Sequence, residues 1–145
     1  MGGYRHLLLA VDFSPDTEKV AARAVDLAQR YGAQVSLLHV IEQIPVDPAN
    51  DLVIPEQVLL DDQLMNTARD SLRELAQRFG IPDAPQYVEL GSTKTEIIRV
   101  AKELQVDLIV VGSHGRHGLA LLLGSTANAV LHAAPCDVLA VRIKD

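Results

Sequence analysis

Cysteine, clustered positive charge and long apolar runs are scarce in this sequence, and each scarcity excludes a class of protein. The single cysteine, Cys136, rules out an internal disulfide framework and fits a reducing compartment. Lys and Arg form no run and the formal net charge is −6, which argues against a nucleic-acid-binding surface. Apolar runs such as Leu119 to Leu123 are too short to span a bilayer, and residues 1–15 lack the layout of a signal peptide. We therefore expect a soluble, cytoplasmic chain with no nucleic-acid partner and no membrane partner.

Several motifs that define enzyme families are also missing. The chain has no G-x-x-x-x-G-K-[ST] loop, no G-x-G-x-x-G after a strand, no G-x-S-x-G elbow and no zinc-type Cys/His spacing. His114 and His117 are three residues apart, but they stand in a glycine-rich turn with no evident third ligand. The sequence therefore predicts no metal site, and no carboxylate pair or nucleophile–base pair that would be catalytic.

Aromatic residues make up only 3% of the chain, so its core must be aliphatic. Hydrophobic residues reach 48% over 145 residues, which is enough for one domain, 1–145, with a substantial core. An aliphatic core of this kind suits a parallel sheet covered by helices, because strands buried on both faces are rich in Val, Ile and Leu.

Apolar runs and helical spacing alternate along the chain as β-α-β-α-β-α-β-α-β, which predicts a doubly wound parallel α/β sheet. Ser14-Pro15 is interpreted as a helix N-cap with proline at the first helical position, and Thr93-Lys94-Thr95-Glu96 as a capping box. Residues 42–56, with three prolines, are interpreted as one long loop, either a functional lid or a variable insert. The predicted strands are His6–Val11, Val35–Ile41, Gln86–Leu90, Leu108–Val111 and Cys136–Arg142; the predicted helices end at Gly32, at Gly80, at Leu104 and near Ala133.

The glycine-rich turn after the fourth strand is the candidate binding feature. Gly112 and Gly115 follow an apolar run, and Gly124, Ser125 and Thr126 stand where the next helix begins. Glycine permits a close approach of a ligand to the backbone, and a helix start offers unpaired N–H groups, so together they suit a phosphate. The alternative is that Gly112 merely ends a strand and that Gly124-Ser125 merely caps a helix.

Four other polar residues are candidates for a functional or a structural role, and two of them allow either interpretation. Asp12 follows the first strand, so it could bind a ribose or adenine edge at the sheet crevice, or could be a turn aspartate before Ser14. Arg116 could meet a phosphate or be solvated. His39, inside an apolar strand, is interpreted as a hydrogen-bonded interior residue, and Cys136 as a buried structural thiol.

These residues resemble those of the universal stress proteins along essentially the whole chain. The likeness lies in Leu8 to Ser14, in Leu37 to Ile41, and above all in the stretch from Gly112 to Thr126. The resemblance implies a Rossmann-like five-stranded parallel sheet between four helices, in strand order 3-2-1-4-5. The family's nucleotide-binding branch carries G-x₂-G-x₉-G-[ST], whereas eight residues separate Gly115 from Gly124 here.

The resemblance also implies roles for particular residues. Asp12 would contact the ribose or base edge, and Val40 would offer its main chain to adenine. The turn would hold the ribose and the phosphates through its glycines and hydroxyls. The implied nucleotide-binding residues are Asp12, Val40, Gly112, His114, Gly115, Arg116, Gly124, Ser125 and Thr126. The missing residue affects the fit to the distal phosphates, so AMP is expected to suit the site at least as well as ATP, with or without Mg²⁺.

The function that the resemblance implies is an adenine-nucleotide-binding module of the stress response. It would act as a homodimer paired through the last strand, Cys136–Arg142, and would signal to a protein client that the sequence does not identify. A slow ATP hydrolase and a nucleotide-free structural dimer are the alternatives.

Overall fold

The computed structural model describes residues 3–42, 55–113 and 125–142, with the side chains of 55–61, 125 and 126 left out of the description. In chain order the elements are β1 (His6–Ala10), α1 (Thr17–Tyr31), β2 (Gln34–Glu42), α2 (Pro55–Arg78), β3 (Gln86–Gly91), α3 (Thr93–Leu104), β4 (Leu108–Gly112), α4 (Ser125–Ala133) and β5 (Asp137–Val141). Each strand is followed by a helix, as the alternating pattern predicts.

The strands form one parallel sheet in the order β3-β2-β1-β4-β5, which confirms the predicted fold. The chain leaves β1 toward β2 and β3 on one side and returns to β4 and β5 on the other. The order therefore reverses between β1 and β4, which pair directly with Leu9 opposite Val110. Ligands of open α/β sheets bind beyond the carboxyl ends of the strands at such a switch point.

Alternate side chains of the central strands supply two aliphatic cores, one on each face of the sheet. Leu7, Leu9 and Leu37 pack with α1 and α2 on the first face. Leu8 and Leu38 pack with α3 and α4 on the second. Because a strand turns successive side chains to opposite faces, a continuous apolar run is what a sheet covered on both faces requires.

Gly32 ends α1 as predicted, but the start of that helix was predicted wrongly. Gly32 has φ of 65°, the left-handed conformation that glycine adopts without strain. Ser14, Pro15 and Asp16 instead form a turn, closed by a 3.1 Å hydrogen bond from Thr17 N–H to the Ser14 carbonyl. Proline fixes its own φ for a turn as well as for a helix start, so Ser14-Pro15 alone could not distinguish the two.

Two other predicted boundaries were also wrong. Thr93 is the first residue of α3 after Ser92, and its hydroxyl donates to the Glu42 carboxylate at 2.8 Å instead of capping the helix. Glu96 meanwhile receives hydrogen bonds from the Arg99 guanidinium. Pro55, assigned to the long loop, is the first residue of α2, a position that suits proline because no N–H is needed there.

The amino edge of the sheet is closed by Asp107. Its carboxylate accepts hydrogen bonds from the backbone N–H groups of Arg5 (2.9 Å) and His6 (3.0 Å). Partial burial opposes its ionisation, but these hydrogen bonds outweigh that effect and hold the pKa of Asp107 below its ordinary value. In the part of the chain that the structure describes, no helix has the length and apolar character needed to cross a membrane.

Candidate functional site

Asp12, Val40 and the end of β4 meet at the carboxyl edge of the sheet. Ala10 pairs with Leu38, and Leu9 with Val110. Continuing both registers to Asp12 brings it level with Val40 on one side and with Ser113 on the other. Three neighbouring strands thus deliver these residues to one row beside the β1/β4 switch point, where an α/β sheet opens toward a ligand.

The Asp12 carboxylate is held by the turn that follows it. Its Oδ1 accepts a 3.0 Å hydrogen bond from Ser14 N–H and a 3.3 Å bond from the hydroxyl of Thr17, a buried residue. This geometry is an Asx-type turn, so the structural reading of Asp12 is correct. Both bonds go to Oδ1, and no described residue donates to Oδ2. The side chain therefore has one oxygen fixed and one oxygen available to a ligand donor.

The residues on either side of Asp12 are held from β2. His39, 8% exposed, lies with its Nδ1 2.8 Å from the carbonyl oxygen of Val11. Because a carbonyl only accepts, Nδ1 is the protonated nitrogen. The His39 ring also packs on Phe13, with ring centres 4.5 Å apart. This confirms His39 as a hydrogen-bonded interior residue.

Phe13 adopts φ of 55°, in the left-handed region that a residue with a Cβ avoids. That conformation costs about 1–2 kcal/mol, so surrounding contacts must hold it. The Phe13 side chain packs against the core of the first face, and its ring contacts His39. The turn from Val11 to Ser14 is therefore a tight, well-supported bend rather than a loose connection.

Val40 contributes its main chain rather than its side chain to this edge. The side chain is 8% exposed and packs in the core of the second face. Leu38 accepts a 2.8 Å hydrogen bond from Val11 N–H, so its main-chain groups are directed to β1. Main-chain groups alternate in direction along a strand, so those of Val40 are directed to the same side, past the end of β1. That side is where Asp12 stands.

At the end of β4, Gly112 is the last strand residue and pairs with Val141 of β5. Ser113 continues the strand direction and donates from its N–H to the Val141 carbonyl at 2.9 Å. Its side chain is buried. Gly112 therefore does end a strand, and it ends it at the switch point beside the β1 turn.

Helix α4 begins at Ser125, and Thr126 follows it in the first turn. In chain order the helix connects two parallel strands, β4 and β5. It therefore runs back across the sheet, and its first residues lie at the carboxyl edge. The N-terminal N–H groups of a helix and its dipole favour an anion at that end. The predicted start of this helix at about Ser125 is confirmed.

The central part of the predicted turn lies outside the described residues. His114, Gly115, Arg116, His117 and Gly124 belong to it, and most of the separate 42–56 loop also lies outside the described residues. Their predicted roles remain predictions. Within the described ranges, no three His, Cys, Asp or Glu side chains cluster as a metal site would require.

The first face of the sheet carries a groove near the candidate site. A groove of about 290 Å³ lies on the first face between the β1 turn and α2, with Phe13, Ser71 and Leu75 in its lining. Arg78 at its rim pairs with Glu18 and Glu74.

Cys136 is half-buried, and burial raises the pKa of its thiol, as expected of a structural cysteine.

Sequence reasoning missed the contacts that support Asp12. The spacing between Asp12 and Thr17 is not diagnostic, because both residue types are common in turns and helix starts. A histidine inside an apolar strand indicates a buried hydrogen bond, but only the strand register shows that its partner is the Val11 carbonyl.

Comparison with known proteins decides the family. The sequence profile of the universal stress protein family matches residues 3–142. The chain belongs to the universal stress protein family. Universal stress protein A homolog 1 of Coxiella burnetii is 44% identical over 142 residues, covering 98% of this chain and 99% of the relative.

Solved structures of the family share the fold of this universal stress protein. UspA from Lactobacillus plantarum has a TM-score of 0.85 at 30% identity, covering 98% of this chain and 100% of that one. A universal stress protein solved in complex with cAMP has a TM-score of 0.64 at 21% identity, covering 97% and 98% of the two chains. At that lower identity the second structure supports the shared fold alone.

Proposed function

We propose that this universal stress protein binds an adenine nucleotide, AMP or ATP, at the carboxyl edge of the sheet between β1 and β4. The observation that carries the proposal is the row formed by the Asp12 carboxylate and the Val40 main chain at the topological switch point. The shared-fold structure with cAMP is of a protein holding an adenine nucleotide, so the architecture is compatible with this ligand class.

Each group has a chemical task in this proposal. Asp12 Oδ2 accepts from a ribose hydroxyl or from the adenine amino group, while Oδ1 stays bound to Ser14 and Thr17. The Val40 main chain hydrogen-bonds the adenine edge, which gives base selectivity. Gly112 and Gly115 allow the ribose and first phosphate to approach the backbone. Gly124, Ser125 and Thr126 supply N–H and hydroxyl donors to phosphate, with His114 and Arg116 beside them.

The proposed role is that of a stress-response binding module rather than a catalyst. Nucleotide binding would stabilise the glycine turn and the 42–56 loop, and so alter a surface that a protein client docks on. A ligand that binds one arrangement better shifts the population toward it by its differential affinity.

Isothermal calorimetry on protein stripped of co-purified nucleotide tests the binding. We expect AMP and ATP each to bind at one site per chain, and GMP to bind more weakly because its base edge presents a carbonyl where adenine presents an amino group. Chromatography of the supernatant from denatured protein, before stripping, identifies any nucleotide carried from the cell. Absence of heat with both adenine nucleotides at millimolar concentration would overturn the proposal.

We further propose that two copies pair through the segment Cys136–Arg142, which contains β5. In the described sheet β5 is an edge strand, with β4 on only one side. Ser113 bonds to the Val141 carbonyl, so Val141 is directed inward to β4 and the main-chain groups of Val138 and Ala140 are directed outward. An open row of strand N–H and C=O groups is a template for another strand, and a two-fold pairing covers both copies at once.

Proline substitution at the two edges of the sheet separates this pairing from a general loss of structure. Val138→Pro removes an outward N–H of β5, and Val88→Pro makes the matching change on β3, the opposite edge. Both valines are half-buried, and proline is tolerated where an edge N–H is unpaired. By sedimentation, the Val138 variant should be a monomer and the Val88 variant a dimer. Two dimeric variants, or a monomeric wild type, would contradict the β5 interface.

A further inference from the structure

We propose that His39 is a positioning residue for the nucleotide site, acting through the Val11 carbonyl to aim the Asp12 carboxylate. This inference rests on the proposed function, because it assigns a support to a residue of that site. His39 lies on β2, a different strand from Asp12, and its side chain is on the face away from the Val40 side chain. It therefore supports the site from behind rather than by contact with the ligand.

The hydrogen-bond ladder between β1 and β2 stops at Val11. Val11 N–H is still bonded to the Leu38 carbonyl, as in a regular parallel ladder. The Val11 carbonyl instead accepts from His39 Nδ1 at 2.8 Å. A side chain has thus taken over the acceptor at the residue before Asp12, so the chain is free to bend there while its polar group remains satisfied.

The bend that follows is strained and is held by the same imidazole. Phe13 has φ of 55°, and its ring lies 4.5 Å from the His39 ring, tilted by 47°. Strained residues persist only where their surroundings determine the conformation, and they cluster at binding sites. His39 contacts the residues on both sides of Asp12, one by hydrogen bond and one by ring packing.

The far side of Asp12 is fixed from α1. Ser14 N–H and the Thr17 hydroxyl bind Oδ1, which leaves the rotation of the carboxylate dependent on the backbone at Val11 and Phe13. Loss of the His39 hydrogen bond would therefore loosen the turn and misdirect Oδ2 without removing any atom that touches the ligand.

Asparagine and leucine at position 39 make a matched pair for the test. Their side chains have the same branched shape, but only asparagine can place an N–H donor at the level of Nδ1. Amide hydrogen exchange at Ser14, measured without ligand, reports the turn. We expect His39→Leu to speed exchange at Ser14 by roughly tenfold and His39→Asn to remain within about twofold of wild type. The Val106 amide, bonded to the Ala101 carbonyl at the far edge, serves as the internal reference and should not change.

A double-mutant cycle then asks whether the effect on binding passes through Asp12. His39→Leu should weaken AMP binding by roughly tenfold in the wild-type background and by less than about twofold in Asp12→Asn, because coupled residues are non-additive. Equal behaviour of the leucine and asparagine variants, or an equal loss in both Asp12 backgrounds, would overturn the positioning role. A wild-type protein that binds no AMP would instead overturn the proposed function, and unchanged exchange at Ser14 in His39→Leu would separately refute the support of the turn.

Discussion

Replacement of Asp12 by asparagine or by alanine should separate the carboxylate's structural work from its ligand contact. Asparagine keeps an Oδ1 acceptor for Ser14 N–H and the Thr17 hydroxyl and replaces Oδ2 by an NH₂ group. Alanine removes both turn bonds and leaves the buried Thr17 hydroxyl without that acceptor. The two variants therefore differ in the stability of the turn, but both lack the second carboxylate oxygen.

The size of each effect follows from those contacts. Each ordinary hydrogen bond contributes about 0.5–1.5 kcal/mol net, so Asp12→Ala should lose about 1–3 kcal/mol of unfolding free energy, and Asp12→Asn only a few tenths. At about 3 °C per kcal/mol for a domain of this size, Tm falls by roughly 3–9 °C in the alanine variant. A hydrogen bond to a charged group is stronger, about 1.5–3 kcal/mol, so both variants should bind AMP roughly 10- to 100-fold more weakly.

Thermal unfolding and calorimetric titration with AMP measure the two effects on the same preparations. Asp70→Asn is the matched control, because it makes the same change of charge on an exposed side chain of α2, whose ion-pair partner among the described residues is Arg73 at the surface. It should match wild type in both assays. An Asp12→Asn protein that binds AMP as tightly as wild type would refute the contact between Oδ2 and the ligand.

Two further predictions concern stability. Leu8 is 0% exposed between the sheet and the helices of the second face, so Leu8→Ala should lower the free energy of unfolding by about 2–5 kcal/mol. Leu64 is 46% exposed, so Leu64→Ala should lower it by less than about 1 kcal/mol. Equal losses in urea unfolding would contradict the assigned core. Asp107 has a folded-state pKa below its ordinary 3.8, so it stabilises the fold above that pH and the contribution disappears as pH falls through the folded value. Asp107→Asn should therefore be less stable than wild type at pH 6, by about 1 kcal/mol, and the difference should shrink as the pH falls below 3.8; a gap that stays constant with pH would contradict the role of the charge.

The architecture could be predicted from the sequence because its determinants are repeated along the chain. The strands β1 and β4 are aliphatic runs, as in Leu7 to Leu9, and the helices turn apolar side chains to the sheet. Many residues support each element, so one misleading residue changes little. Gly32 was predictable for another reason, since a helix followed by glycine has one common ending.

Helix starts were less predictable because one or two residues decide them. Ser14-Pro15 suits a turn and an N-cap equally, and the outcome depends on Asp12 accepting from Ser14 and Thr17. The Thr93 hydroxyl does not cap α3, because it donates to the Glu42 carboxylate at the end of β2. Contacts of this kind join residues distant in sequence, so local pattern carries no information about them.

The residues of the candidate site could be predicted from the sequence, but the contacts that hold them in place could not. Asp12 and Gly112 could be assigned to strand ends from the pattern, and strand order then makes them neighbours. The bond from His39 to the Val11 carbonyl depends on the register of β2 against β1, which the sequence of either strand alone does not specify.

The location of the nucleotide is tested most directly by titrating ¹⁵N-labelled protein with AMP and following backbone amide shifts. We expect the largest changes at Asp12, Val40 and Ser113, in the row at the carboxyl edge, and none at Arg5 or Val106 at the amino edge. Changes confined to Ser71 and its neighbours in the groove on the first face, or no changes at all, would contradict a nucleotide site at the β1/β4 switch point.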